Sequence, residues 1–159
     1  MPTNISLKFT DYPQNAAGGV GTVAAHTITW ASEQVLNIGS QSSGAGAGRV
    51  SFLPLEFTKD VDTTSSLLFL RMCSGTPWKA LDVTLRRAGT AGSGDTVLQF
   101  GLVAVKDQSV TIGPDGVPIE TVTLEYGQQV WQTKDASGKP VVRGWDRVRN
   151  VAANALLTG

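Results

Sequence analysis

The stretch SGAGAGRVSF, residues 43–52, sets Gly44, Gly46 and Gly48 two positions apart. Glycine clusters hold phosphate when a strand leads in and a helix follows, because the helix N-terminus supplies the N–H groups and the dipole. The sequel here is RVSFLPLEFTK. Val50 and Phe52 alternate with polar residues, Pro54 interrupts, and Leu55 and Phe57 resume. That predicts a strand with an edge or bulge at the proline, not a helix. No Gly-Lys-Ser/Thr follows the glycines. They read instead as a long, mobile loop between two strands, low in side-chain content and suited to ordering against a partner.

The other residues able to do chemistry are few. His26 is the only histidine; it lies in an alternating pattern and reads as structural. The serines form no nucleophile elbow, and only His26 is available as a base. Asp60 and Asp62 in KDVD are too few ligands for calcium, and Asp62 reads better as a helix cap. Cys73 is the only cysteine, which excludes an internal disulfide and a zinc cluster. Its run, LLFLRMC, predicts a buried, reduced thiol. No catalytic residue, cofactor site or metal site is assigned, and the chain is not expected to be an enzyme.

The 159 residues fit one domain, 1–159, and 41% apolar content is enough for one core. Thirteen basic and thirteen acidic residues cancel, so nothing electrostatic favours nucleic acid or an anionic membrane as partner. No run approaches the roughly 18 apolar residues of a membrane span, and the N-terminus MPTNISLKF has no signal-peptide core. The default compartment is the cytoplasm. Lys139, Arg143, Arg147 and Arg149 would share one face of an extended strand, either solvated or paired with Asp146 or Glu125 of a neighbouring subunit.

Ile5, Leu7 and Phe9 alternate, as do His26, Ile28 and Trp30, which predicts strands over 5–9 and 24–31. Residues 62–75, DTTSSLLFLRMCSG, read as the one helix, started by Asp62 or Thr63 and ended by Gly75 before Pro77. It is apolar on nearly all sides, which requires cover on more than one side. Beyond Lys79 the pattern is all strand. Leu81, Val83 and Leu85 point inward, and two apolar stretches, VLQFGLVAV and SVTI, are broken near Lys106-Asp107-Gln108. A turn follows at Gly113–Gly116, then an inward row of Val122, Leu124 and Tyr126. A second turn lies at 135–140, and the last strand starts at PVVRGWD. The tail VAANALLTG reads as a short helix or a frayed end. Seven or eight strands with regular turns predict a mainly β fold, a closed or nearly closed antiparallel β-barrel with one flanking α-helix at about 62–74. Trp30, Trp78, Trp131 and Trp145 lie in or beside strands, in core or interface.

GAGAGRVSFLPLEFTKDVDTTSSLLFLRMCSG, then KALDVTLRRAG, then GPDGVPIETVTLEYGQQVWQ, then KPVVRGWD, taken in order, resembles the Hcp family. These are the hemolysin-coregulated, tail-tube proteins of bacterial type VI secretion. The likeness runs from about Gly44 to Asp146. Its most telling pieces are the glycine–alanine loop running into FTK, the D-x-x-S-x-x-L-F helix start, DVTLRRAG, and Gly144-Trp145-Asp146. The resemblance implies a barrel assembling as hexameric rings that stack into a hollow tube. A contractile sheath propels that tube, tipped by a VgrG-type spike on a baseplate, with effector proteins in the lumen. It also implies a protein cytoplasmic before assembly and secreted by the apparatus without a signal peptide, with no nucleic acid and no membrane insertion.

A ring needs two different complementary surfaces on each subunit. The expected assembly loop is Gly44, Ala45, Gly46, Ala47, Gly48 and Arg49. The expected interface helix residues are Leu67, Leu68, Arg71 and Met72, and further candidates are Arg143, Trp145 and Asp146. The alternatives are a phage-type tail tube protein, and a monomeric small β-barrel ligand-binding module with a concave aromatic pocket.

Overall fold

The computed structural model describes residues 3–13, 19–36, 50–87 and 96–155. Within them the chain is mainly β with one helix. The framework is a long antiparallel hairpin, β8 (Thr96–Ile112) and β9 (Pro118–Lys134), each 17 residues. At its base β8 pairs with β7 (Trp78–Arg87), and β7 with β1 (Thr3–Thr10). On the other side β9 pairs with β10 (Pro140–Asp146), and β10 with β11 (Val151–Ala153). Toward the hairpin tip β9 pairs instead with β6 (Leu55–Asp60).

The expected closed or nearly closed barrel is corrected: the sheet is not closed. The predicted strand over 24–31 is two short strands, β2 (Thr22–Ala25) on β1 and β3 (Thr27–Thr29) on β6. The chain changes partner at His26, whose N–H donates to the Thr58 carbonyl at 2.7 Å. Trp30 falls outside the strand. A separate two-stranded ladder joins β4 (Ser32–Glu33) to β5 (Ser51–Phe52).

Most of the inward rows read from alternation are buried, with Ile5 and Leu85 half-buried. Leu7, Leu81, Val83, Val122 and Leu124 are fully covered, and Phe9 packs 4.6 Å from Trp78 and 6.5 Å from Phe57 between ring centroids. The two apolar stretches on either side of Lys106 are a single strand. The pairing Val105–Leu124 steps to Asp107–Thr123, so Lys106 is the extra residue of a bulge. Nearer the base, Leu98, Phe100 and Val103 are all fully buried, which strict alternation forbids. Leu102 resolves the conflict. It adopts a left-handed φ of 52° and turns the strand over, so that even positions face the core before it and odd positions after it. Gly127 leaves room opposite, where a Cβ would stand 3.3 Å from the Leu102 side chain.

The predicted helix is α1, Thr63–Ser74, with Asp62 as its N-cap and Gly75, at φ 68°, as its left-handed C-cap. The Asp62 carboxylate accepts from Thr64 N–H at 2.8 Å, and Asp62 N–H donates to Ser65 Oγ at 3.0 Å. The tail is corrected: Val151–Ala153 is a strand, turned back by Asn150 at φ 58°, a conformation that asparagine tolerates.

Candidate interaction surfaces

The residues around the start of α1 carry the densest polar network among those described. Lys59 on β6 and Glu120 on β9 are direct cross-strand partners. Both are essentially inaccessible, at 1% and 0%. Lys59 Nζ donates to Glu120 Oε1 at 2.9 Å, Asp62 Oδ1 at 3.0 Å, Ser65 Oγ at 3.1 Å and the Asp60 carbonyl at 2.8 Å. Gln108 Nε2 bonds the other Glu120 oxygen and the Ser65 carbonyl. Burial pushes the Asp62 carboxyl up, but bonds from Thr64 and Lys59 outweigh it and hold the group below its ordinary value. Its charges are mutually satisfied, with Lys59 and Glu120 closed to solvent and Asp62 half exposed at the helix start. It fixes α1 to three strands.

Sequence inspection missed the pair, although the signal was present. Lys59 shares the inward phase of Leu55 and Phe57, and Glu120 that of Val122 and Leu124. Opposite charges on the inward rows of two strands are the mark of a buried ion pair.

Of the interface candidates on α1, Leu68 and Arg71 are buried within the chain itself, and Leu67 and Met72 are half-buried. Arg71 bonds Asp11 and lies 5.1 Å over the Trp78 ring. The outward apolar residues are Phe69 and Leu70, 53% and 61% exposed. Cys73 is exposed on the same side, which corrects the expected buried thiol. The reason is helical phase: Leu68 and Arg71, three apart, take the core face and leave their neighbours outside.

Arg143 is exposed and donates to its own Val142 carbonyl at 2.7 Å. Trp145 is half-buried. Asp146 is buried, its Oδ1 accepting from the Val148 and Arg149 N–H groups at 2.9 and 3.0 Å and its Oδ2 from Gln128 at 2.9 Å. Those bonds, first that from the Arg149 N–H, hold its carboxyl below the usual range. The basic residues do not share one strand face, because β10 ends at Asp146. Arg147 instead lies over Phe52 and Tyr126 at 5.0 and 5.3 Å and donates to the Tyr126 carbonyl at 2.7 Å. Glu125 stands 3.8 Å from both Lys106 and Arg147 of its own chain, and Arg149 is 3.9 Å from Asp146. Gly44–Arg49 lies outside the described residues.

Two further exposed apolar places were not read from the sequence. The β8–β9 tip carries Val110, Ile112 and Val117, 53%, 67% and 47% exposed; at mid-hairpin, Leu102 lies near Val148. Val110 and Ile112 belong to the row of Gln108, which meets Ser65 of α1. The row continues past the helix and loses its cover.

This mainly β fold with one helix is shared with type VI secretion proteins of known structure. A structure described as a type six secretion system protein superposes with a TM-score of 0.74 at 20% identity, covering 94% of this chain and 99% of that one. Hcp1 from Salmonella typhimurium gives 0.71 at 20% identity, covering 96% and 100%. The family model described as "Type VI secretion system effector, Hcp" matches residues 15–133. Protein hcp1 of Pseudomonas aeruginosa is 33% identical over 117 residues, 66% of this chain and 70% of that protein. The chain belongs to the Hcp family of type VI secretion proteins. No helix among the described residues is long and apolar enough to cross a membrane.

Proposed function

We propose that this chain is the repeating structural subunit of a type VI secretion tail tube. Copies form hexameric rings, the rings stack around a hollow lumen, and a contractile sheath drives the tube with its VgrG-type spike from the baseplate into a target cell. Effector proteins travel in the lumen. The subunit is cytoplasmic until the apparatus exports it, and it acts by assembling, not by turning over a substrate.

The observation that carries this reading is the Hcp family match over residues 15–133. The separate exposed apolar places at Phe69–Leu70, at the hairpin tip and at Leu102–Val148 supply the unlike surfaces that a head-to-tail assembly requires. Gly44–Arg49 is proposed as a ring or stacking contact, where small residues let two backbones approach closely. On α1 the contact passes through Phe69 and Leu70, with Leu67, Leu68, Arg71 and Met72 as their support. Arg143 and Trp145 extend it, with Asp146 holding the turn beside them.

Light scattering after size exclusion, followed by electron microscopy of the purified chain, tests this. Rings of about six subunits, stacking at high concentration, are the expected result; a monomer at every concentration overturns it. Deleting 43–48 is expected to weaken stacking and leave the monomer folded. Tubes formed at the unmodified protein's concentration would remove that loop from the contact.

A further inference from the structure

Resting on the assembly reading above, we propose that the tip of the β8–β9 hairpin docks into a hollow on a second copy of this chain, centred on Leu102, Lys79 and Arg149. The tip and the hollow are two unlike surfaces of one protomer, as a head-to-tail contact demands.

The tip is an apolar knob with one charge. Val110, Ile112 and Val117 are exposed around the turn Gly113–Gly116. Between Gln108 and Pro118 the only charged residue is Asp115. The tip is also rigid. Asp115 Oδ1 accepts from Val117 N–H at 3.1 Å, Gly116 N–H donates to the Gly113 carbonyl at 2.9 Å, and Gly116 takes the left-handed φ of 77° the turn needs. Ile112 pairs with Pro118, one step past the end of the β6 ladder at Asp60–Ile119, so the turn stands clear of β6. A preformed knob orders little on docking, which lowers the cost of association.

The hollow, of about 430 Å³, is lined by Leu102, Val148, Gln128, Tyr12, Lys79, Arg149 and Asp146. Leu102 and Val148 are 45% and 69% exposed and give apolar walls for valine and isoleucine. Its charges are two cations and one carboxylate. Asp146 is buried, its oxygens bonded by the Val148 and Arg149 N–H groups and by Gln128; the Arg149 side chain, 3.9 Å from Asp146, is 81% exposed, and Lys79 adds a second cation. The surface presented outward is therefore positive, and the knob brings a carboxylate. Leu102 is also the one described non-glycine strand residue with a left-handed backbone. Held strain of this kind gathers at ligand clamps, and here it sets an apolar side chain on the surface. The knob lies ten residues along β8 from Leu102, roughly 30 Å at strand rise. One copy thus presents knob and hollow well apart, and each can engage a different neighbour.

A charge swap on the full-length chain tests the contact, with assembly followed by sedimentation velocity and electron microscopy. Asp115→Lys is expected to raise the concentration for half-assembly about tenfold, as does the double change Lys79→Glu/Arg149→Glu. The three changes together are expected to recover most of the loss, because the attraction is restored with its signs exchanged. Asp115→Asn keeps the bond to Val117 N–H and removes only the charge, so a smaller effect in the same direction separates docking from turn folding. Assembly of Asp115→Lys at the unmodified concentration, or no recovery in the swapped chain, overturns this contact and leaves the tube reading standing. Failure of the unmodified chain to assemble at all overturns both.

Discussion

A single cross-strand pair joins two opposite regions. Val110 on β8 faces Glu120 on β9; the valine is 53% exposed and the glutamate 0%. On one side of that pair lies a sealed ion pair, Lys59 and Glu120, with Gln108 bonded to it under the start of α1. On the other lies an uncovered apolar knob. Charge inside and hydrocarbon outside is the reverse of a self-sufficient domain. The difference teaches where each force acts. The buried charges act within the chain, fixing the helix to its strands with directional bonds. The exposed hydrocarbon has no work to do within the chain and is free to bury area between copies.

The largest expected effect tests the buried side. Lys59→Met leaves Glu120 in the core without its cation and should lower unfolding free energy by about 3–5 kcal/mol. Lys59→Met with Glu120→Leu should recover most of this, since well-packed apolar residues replace a buried pair at little cost. Urea unfolding measures both, and a single-variant loss below about 1 kcal/mol would show that the cluster does not hold the helix.

The cap comes next. Asp62→Ala removes the acceptor for Thr64 N–H and one oxygen around Lys59, and should cost about 1 kcal/mol, toward the low end because Asp62 is half exposed. Its carboxyl is held below its ordinary value of 3.8. A lowered folded value means that its contribution is fully present above 3.8 and is lost as pH falls through the folded value. Asp62→Asn should therefore unfold less steeply than the unmodified chain as pH is lowered below about 4. Identical acid limbs would count against the bonds drawn to that carboxylate.

The smallest expected effect on folding belongs to the knob. Ile112→Thr and Phe69→Ser should each change monomer stability by no more than about 0.5 kcal/mol, yet shift assembly to higher concentration. A large loss of thermal stability in the isolated monomer would place these side chains in the fold, and the contrast with Lys59 would collapse.

Much of this was legible in the chain. The helix and both of its caps follow from Asp62, its apolar run, Gly75 and Pro77. The inward rows of β1, β7 and β9 follow from alternation alone, because a strand buried on one face must repeat every second residue. The two predicted segments of β8 proved to be one strand, since an extra residue at Lys106 can be absorbed as a bulge without ending the ladder. The face switch at Leu102 was not legible. Nothing in LQFGLVAV marks a leucine for a left-handed backbone, and only a facing glycine with room beside it permits one. The family likeness was legible from ordered motifs, but the candidate contacts were only partly so. A sequence shows that α1 is apolar on many sides, but not which side the core takes.

The sequence by itself determined the helix and its limits, most of the strands, the two turns it marks and the family, because each rests on local residue patterns. The tertiary structure alone decided that the chain changes sheet partner at His26, that Lys59 and Glu120 meet across strands 61 residues apart in sequence, and that Val110, Ile112 and Phe69 are left outside. Those outcomes depend on which distant surface arrives to cover a side chain, and burial is a property of the packed whole, not of the residue.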